Sequence, residues 1–464
     1  MVIKKIGGIT PPSNKNTEFC EVQILPVPER VRIPMKMHSG KPAVPVVKPG
    51  DTVKVGQLIG EANGLVSAHV HSSVSGTVKS INDRDFITGQ KAVSVTIDAD
   101  GLQTIYEGLK PLTIRTQQEF FEAVRESGAV GLGGGGFPTH PKIDIKNLED
   151  VEYIIINGAE CEPYITADTR TMIEYSSDVC NGIKLLLEYV KPSKGILLCI
   201  EANKPEAIQV MKEAFADEDK VEVKVLPALY PQGERKVLVH NVVGRIVREG
   251  ARLVSVGVII LNVTTITVFA KYIETGLPLV NKVVTVDGPS VKNPMNVLAP
   301  IGTPIRELFE FCGEFIDGEP KKVVVGGMMM GVAQPNLDVP VVKTTNCILA
   351  FPEHAVIKDI EGERKYRTAC IKCGRCLTKC PMKLMPPNIE AAYKLERLDR
   401  LEYYKVNICV ECGSCAYVCP SKRPLVQVMQ LSKEMLWLRK QELKANKEAA
   451  AVVAAVKHAG KEDM

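Results

Sequence analysis

The sequence predicts a multidomain α/β protein, and three observations predict it. Helical and strand patterns alternate across residues 112–280. On either side, over 20–100 and 281–345, short apolar runs are separated by turns. Near the C-terminus two four-cysteine repeats precede a Lys/Glu-patterned helical tail. With 464 residues, and at roughly 150 per domain, about three or more domains are expected.

The first element is a small β domain, assigned to residues 1–110. Its turns are Lys48-Pro49-Gly50-Asp51, Gly56-Gln57 and Val74-Ser75-Gly76-Thr77. The phrase GDTVKVGQLIGEA followed by SSVSGTVKSI resembles the barrel-sandwich hammerhead of biotinyl and lipoyl carrier domains. Those domains carry a modified Lys between the two phrases. Here the interval is Asn63-Gly64-Leu65-Val66, and Met35-Lys36-Met37 lies before the first phrase, so a carrier role is not expected.

The second element, 111–279, reads as helix Thr116–Ser127, strand Val151–Ile156, a long helical stretch Tyr164–Tyr189, strand Gly195–Ile200 and helix Lys204–Ala216. Strands Val221–Val225 and Val256–Leu261 and a helix at Thr265–Ile273 complete it. Such alternation implies a mainly parallel, Rossmann-like sheet covered on both faces. The third, 280–350, has strand Lys282–Val286, helix Pro304–Cys312 and strand Lys322–Val325, which suits a β-grasp unit. Residues 351–430 hold the cysteine repeats, and 431–464 form the helical tail.

Composition narrows the class. Hydrophobic residues make up 45% and charged residues 24%, ordinary for globular chains. The net charge of +4 is spread out with no long basic block, which argues against nucleic acid. MVIKKIGGITPPSNKN has no apolar core, so no signal peptide is expected. No run approaches 20 apolar residues, so no transmembrane helix is expected. In an unsecreted chain, clustered cysteines read as metal ligands and not disulfides. The other six, Cys20, Cys161, Cys180, Cys199, Cys312 and Cys347, read as small apolar residues.

The repeats are Cys370-x2-Cys373-x2-Cys376-x3-Cys380-Pro381 and Cys409-x2-Cys412-x2-Cys415-x3-Cys419-Pro420. This is the spacing of two-cluster ferredoxins, in which the fourth cysteine of each run ligates the other cluster. A cubane needs four thiolates around one small volume, and Gly374 and Gly413 ease the tight loops. One [4Fe-4S] cluster is therefore assigned to Cys370, Cys373, Cys376 and Cys419, the other to Cys409, Cys412, Cys415 and Cys380. Zinc sites use C-x2-C pairs, not two runs of four with a trailing Cys-Pro.

Upstream, Gly131-Leu132-Gly133-Gly134-Gly135-Gly136-Phe137-Pro138 contains a GxGxxG match, weak alone and preceded by a helix where the common dinucleotide fold has a strand. Five glycines in six residues still argue for close approach of a ligand to backbone, and Lys142 follows as a phosphate partner. Asn157-Gly158-Ala159-Glu160-Cys161-Glu162-Pro163 follows a strand, where ligands commonly bind. Tyr230-Pro231-Gln232-Gly233-Glu234-Arg235 and Asn262-Val263-Thr264 are two further junction elements.

Together these elements resemble the flavin- and NADH-binding subunits of respiratory complex I and of NAD-linked hydrogenases. Two positions depart from that pattern: Leu132 stands where the family has Arg, and Ala159 where it has Asp. The full order of hammerhead, GLGGGGFPTH, NGAECEP, β-grasp, GGMMMG and double ferredoxin resembles the C-subunit family of the Rnf complex over essentially the whole chain.

The resemblance implies FMN, NAD(H) and two [4Fe-4S] clusters. Hydride exchange between NAD(H) and FMN would be followed by single-electron transfer through the clusters, within an ion-pumping ferredoxin:NAD+ oxidoreductase. It implies Gly133, Gly134 and Lys142 near the FMN phosphate and ribityl chain, with Asn157, Asn262 and Thr264 on flavin or ribityl oxygens, and Gly131 and Gly136 among the cofactor-binding residues of the same loop. Phe137, Glu160, Glu162 and Glu234 would serve the NAD(H) side, and Tyr230 and Gly233 are further implied cofactor-binding residues. No acid–base catalyst is named, because the cofactors carry the chemistry. The implied partners are membrane and ferredoxin-type subunits, with ferredoxin served indirectly. The implied place is peripheral, on the cytoplasmic face of the bacterial membrane. The same layout resembles the cobalamin reductase of propanediol-degrading microcompartments, and a non-enzymatic electron-carrying or docking role is a third reading.

Overall fold

The computed structural model describes residues 6–86, 89, 91–316, 318–353 and 368–462. The chain divides into two compact units, Thr10–Arg364 and a second made of Met1–Ile9 with Lys365–Met464.

Among the described residues the larger unit is built on four sheets. A four-stranded antiparallel sheet has the order Arg30–Pro34, Lys91–Ala99, Gly76–Asp85, Thr52–Val53. A three-stranded antiparallel sheet joins Val44–Pro45, Leu58–Glu61 and Val70–His71. The parallel sheet has the order Val221–Leu226, Gly195–Glu201, Tyr153–Gly158, Val258–Asn262. A six-stranded mixed sheet runs Val22–Ile24, Met295–Pro300, Asn281–Asp287, Cys347–Phe351, Lys322–Val325, Val332–Gln334. Its outer strand, Val22–Ile24, comes from the N-terminal segment and pairs in parallel with Asn296–Leu298.

The parallel sheet is apolar on both faces because alternate residues of one strand enter different cores. Ile154 and Ile156 pack with Leu198, Val179, Ile183 and Phe269. Ile155 packs on the opposite face with Leu197, Leu238 and Val239. Helix Gln117–Glu126 starts at Thr116 with a complete capping box, Thr116 Oγ1 accepting from Glu119 N–H and Glu119 accepting in return. The stretch Tyr164–Tyr189 is two helices, Ala167–Glu174 and Ser176–Tyr189, broken at Tyr175. The apolar period runs through the break, which is why it reads as one helix in sequence.

The sheets at either end of this unit share one core, with Val31, Ile33, Val70 and Val95 against Val284, Val297 and Ile305. Leu132, from the glycine-rich loop, is fully buried in that same core. Burying one such side chain contributes roughly 1.5–3 kcal/mol. The loop is therefore anchored where three sheets meet.

The smaller unit is helical. Arg375–Lys379, Pro386–Lys394, Leu398–Tyr403, Ser414–Tyr417 and the long helix Leu425–Glu462 surround a core of Leu384, Ile389, Leu401, Val406, Met429 and Leu436. The tail helix thus begins at Leu425, earlier than residue 431. The two cysteine runs share one backbone trace: Lys372 and Glu411 both have φ 56°, and Gly374 and Gly413 have φ 74° and 78°. Each glycine opens a short helix from the left-handed region. No described helix is long and apolar enough to cross a membrane.

Candidate functional site

The parallel sheet has its switch point between Tyr153–Gly158 and Val258–Asn262, whose chain connections leave to opposite sides. Asn157 and Asn262 are register partners at the C-terminal ends of those strands. Ligands of open α/β sheets bind in the crevice at such a point.

The glycine-rich loop is closed by Gly131 N–H donating to Phe137 O (2.8 Å) and Gly136 N–H donating to Gly131 O (2.9 Å). Leu132 N–H donates to Thr265 Oγ1 (2.9 Å), fixing the loop to the helix that follows Asn262. A Cβ on Gly133 would lie 3.1 Å from Asn262 Nδ2, a tight contact that a side chain here would make only by displacing the Asn262 amide. Gly134 has φ 102°, and residues 133–135 are exposed. Phe137 is 37% exposed, an open aromatic face beside them.

Lys142 lies under the loop, its Nζ 3.4 Å from the Cβ position of Gly131. Its ammonium is pushed down to about 8 by burial and, secondarily, by the charge of Arg235. Arg235 itself stands 4.0 Å from a Glu234 carboxylate oxygen, and a buried ammonium with a second cation in electrostatic reach suits a phosphate.

The polar groups at the strand ends form a network, and Asp168, which carries no motif of its own, is its hub. Asn262 Nδ2 donates to Asp168 Oδ2 (2.7 Å), and Thr264 Oγ1 donates to Asp168 Oδ1 (2.6 Å). Asn262 Oδ1 accepts from Thr265 N–H and so caps that helix. Asn157 Nδ2 donates to Gly233 O (3.0 Å), while its Oδ1 accepts from Ala159 N–H (3.1 Å). Gly233 is forced: a Cβ there would meet Ala159 O at 2.4 Å. Lys282 is fully buried with no hydrogen bond to its ammonium among the described residues, and it lies within electrostatic reach of Asp168 and Glu160.

The three acids expected on the NAD(H) side all bond to the protein itself. Glu160 is buried and accepts from Asp168 N–H (2.7 Å) and Thr169 Oγ1 (2.7 Å), capping helix Ala167–Glu174. Glu162 accepts from Met329 N–H (2.9 Å) and Tyr230 Oη (3.3 Å). Glu234 accepts from Lys236 and Val237 N–H and caps helix Arg235–Val243. Burial, above all, raises both Glu160 and Glu162 to about 7.

Lys15 and Lys204 hold this loop from beneath. Lys15 Nζ donates to the carbonyls of Glu160 (3.1 Å), Glu162 (3.0 Å) and Ile165 (2.5 Å). Lys204 Nζ donates to Glu160 O (3.2 Å) and to Glu201 (2.9 Å).

The cysteines separate into two sets, each drawn from both repeats. A cavity of about 560 Å³ is lined by Cys370, Cys373, Cys376 and Cys419. A narrower one, about 20 Å³, is lined by Cys380, Cys409, Cys412 and Cys415. Cys376 lies within electrostatic reach of Cys419, Cys370 and Cys373, and Cys415 of Cys409, Cys412 and Cys380. Among the described residues no three His, Cys, Asp or Glu side chains converge as the ligands of a single metal ion would. Two sets of four thiols around a space are the donor chemistry of cubane clusters. Exposed glycines above a buried lysine are that of a phosphate-bearing planar ligand.

Family models match the chain in the same order. The RnfC barrel sandwich hybrid domain covers residues 3–102, the Nuo51 FMN-binding domain 124–270, the SLBB domain 283–333 and a 4Fe-4S dicluster domain 369–422. The C subunit of the proton-translocating ferredoxin:NAD(+) oxidoreductase complex of Clostridium ljungdahlii is 40% identical over 387 residues, 82% of each chain. The C subunit of the Na(+)-translocating complex of Acetobacterium woodii is 40% identical over 431 residues, 92% of this chain and 96% of that one. The C subunit of the ion-translocating oxidoreductase complex of Klebsiella pneumoniae is 38% identical over 445 residues, 95% of this chain and 58% of that one. A crystal structure of NAD+-reducing [NiFe]-hydrogenase in the H2-reduced state aligns with a TM-score of 0.48 and 19% identity, over 68% of this chain and 63% of that one.

Proposed function

Because the chain belongs to the family of C subunits of ion-translocating ferredoxin:NAD(+) oxidoreductase complexes, we propose that it is the NAD-linked flavin and iron–sulfur subunit of such a complex. Its cofactors are FMN and two [4Fe-4S] clusters, with NAD(H) as substrate. Bound FMN supplies the exchange between two-electron hydride chemistry and one-electron transfer, and the clusters supply the one-electron steps.

The chain's own residues do the positioning. Gly133, Gly134 and Gly135 admit a ligand against bare backbone, while Gly131 and Gly136 close the loop. Lys142, with Arg235 beside it, neutralises a phosphate. Asp168 orients Asn262 and Thr264, and Asn157 keeps the loop at Gly233 in place, so that this polar edge is set before a ligand arrives. Phe137 offers a stacking face. Cys370, Cys373, Cys376 and Cys419 hold one cluster, and Cys380, Cys409, Cys412 and Cys415 the other.

The proposed layout is a barrel-sandwich domain at 1–110, an FMN/NADH domain at 111–279, a β-grasp domain at 280–350, a ferredoxin-type domain at 351–430 and a tail at 431–464. The proposed partners are the membrane and ferredoxin-type subunits of the complex, with ferredoxin served indirectly. The proposed location is peripheral, on the cytoplasmic face of the membrane.

The observation that carries this reading is the pairing, in one chain, of a glycine loop over Lys142 with two mixed-repeat cysteine sets. The test is reconstitution. Protein supplied with iron, sulfide and FMN should hold about eight irons and reduce a one-electron dye from NADH. A preparation that binds FMN yet leaves the dye unreduced, or that loads about four irons, would sink it.

A further inference from the structure

The GGMMMG turn lies outside the residues expected at the site, yet it is fastened to them at several points. Gly326 N–H donates to Cys347 O (2.7 Å), and the residue before Cys347, Asn346, places Nδ2 4.0 Å from the Cβ position of Gly134. The turn is thus one residue removed from the glycine-rich loop. On its other side Glu162 accepts from Met329 N–H (2.9 Å) and bonds the Met330 backbone as well. The same carboxylate takes Tyr230 Oη, so Glu162 joins the NGAECEP loop, the Tyr230 segment and the turn.

The fit is close. A Cβ on Gly327 would lie 2.3 Å from Glu162 Cδ, and one on Gly331 would lie 2.4 Å from Gly327 O. Gly331 N–H donates to Gly327 O (2.7 Å) across the turn. This closely packed turn nevertheless leaves Met328 45% and Met330 50% exposed. Three protein donors already take most of the roughly four lone-pair sites of the Glu162 carboxylate, which leaves it little capacity for a ribose hydroxyl.

We propose that this turn is a wall of the NAD(H) side of the site, with Met328 and Met330 as its apolar contact surface and Glu162 as the positioning residue that holds it without touching the nucleotide. A thioether chain is unbranched and polarisable and packs favourably on aromatic rings, and a dinucleotide offers two. The proposal rests on the flavin–nicotinamide reading above.

The experiment uses the holoprotein. Met328→Ala/Met330→Ala is expected to raise KM for NADH about tenfold, with kcat, FMN content and iron content within about twofold. Met328→Leu/Met330→Leu restores most of the affinity. Glu162→Gln puts an amide N–H against at least one of the three protein donors, so it also raises KM. Combined with the double alanine variant it adds little, because both act through one surface. Independently of activity, bound NAD+ protects Met328 and Met330 from peroxide oxidation, read by mass spectrometry against the exposed Met385 as control. An unchanged KM with native FMN content, additive effects of Glu162→Gln and the alanines, or no protection of the two methionines would overturn the proposal. A wild-type holoprotein that binds FMN and fails to oxidise NADH overturns the underlying reading instead, before any variant is made.

Discussion

Thr264 Oγ1 donates a 2.6 Å hydrogen bond to Asp168 Oδ1 across 96 positions of sequence. Asn262 Nδ2 completes the bond set on the same carboxylate. One acid, from the first turn of helix Ala167–Glu174, thus orients both polar side chains at the end of Val258–Asn262. Asp168→Ala takes away the shorter acceptor of each group, leaving Thr264 Oγ1 its contact with Thr171 Oγ1 (3.1 Å) and Asn262 Nδ2 a long one with Asn157 O (3.5 Å); a buried polar group left unsatisfied costs about 1–3 kcal/mol. FMN affinity is expected to fall ten- to a hundredfold by fluorescence quenching, with iron content unchanged. Native FMN affinity in this variant would show that Asp168 does not set the site.

Stability should fall as pH rises through the range of Glu160 and Glu162. Burial raises both to about 7 from an ordinary carboxylate value of 4.5; Lys15, Asp168 and Lys204 modulate Glu160, with Asp168 acting against the two lysines. In the folded state each keeps its proton to a higher pH than in the unfolded chain. Below about pH 4.5 neither group affects the balance. Between about 4.5 and 7 the unfolded chain releases protons that the folded one holds, so stability declines, by up to about 3 kcal/mol per group. Melting temperature measured from pH 5 to 8 should decline, and Glu160→Gln should flatten that decline. A flat wild-type profile would count against burial of the ionised acids.

Much of this architecture can be read locally, and the remainder cannot for identifiable reasons. The capping box at Thr116 and Glu119 is complete within four residues, and the cysteine spacing, with its cross-repeat rule, anticipates the two mixed-repeat groups that line the two cavities. Asn157 and Asn262 are legible as strand-end polar residues. Asp168 is not, because it looks like an ordinary acid in a first helical turn until the parallel register places Asn262 beside Asn157. Lys15 carries no local signal: it reaches carbonyls 145–150 residues away. Val22–Ile24 is too short to announce that it joins Met295–Pro300 in another sheet. Leu132 reads as a departure from the flavin-loop pattern, and its burial gives that departure a physical sense, an apolar anchor where a charge could not sit.

The proposed cluster ligands support a sharper test than iron content alone. Cys419 lies with Cys370, Cys373 and Cys376, whereas Cys380 lies with Cys409, Cys412 and Cys415. Cys419→Ser should therefore weaken the cluster begun by the first repeat, and Cys380→Ser the one begun by the second. The two sites differ in exposure. Cys370 and Cys373 are exposed around the wide cavity, while the other set is enclosed with Leu384 and Met429. A chelator should consequently strip the first cluster sooner, and Cys419→Ser should abolish the fast phase of iron loss while Cys380→Ser abolishes the slow one. Electron paramagnetic resonance of the reduced protein follows the two signals separately. If Cys419→Ser instead removed the slow phase, each run would be ligating its own cluster and the mixed-repeat assignment would fall.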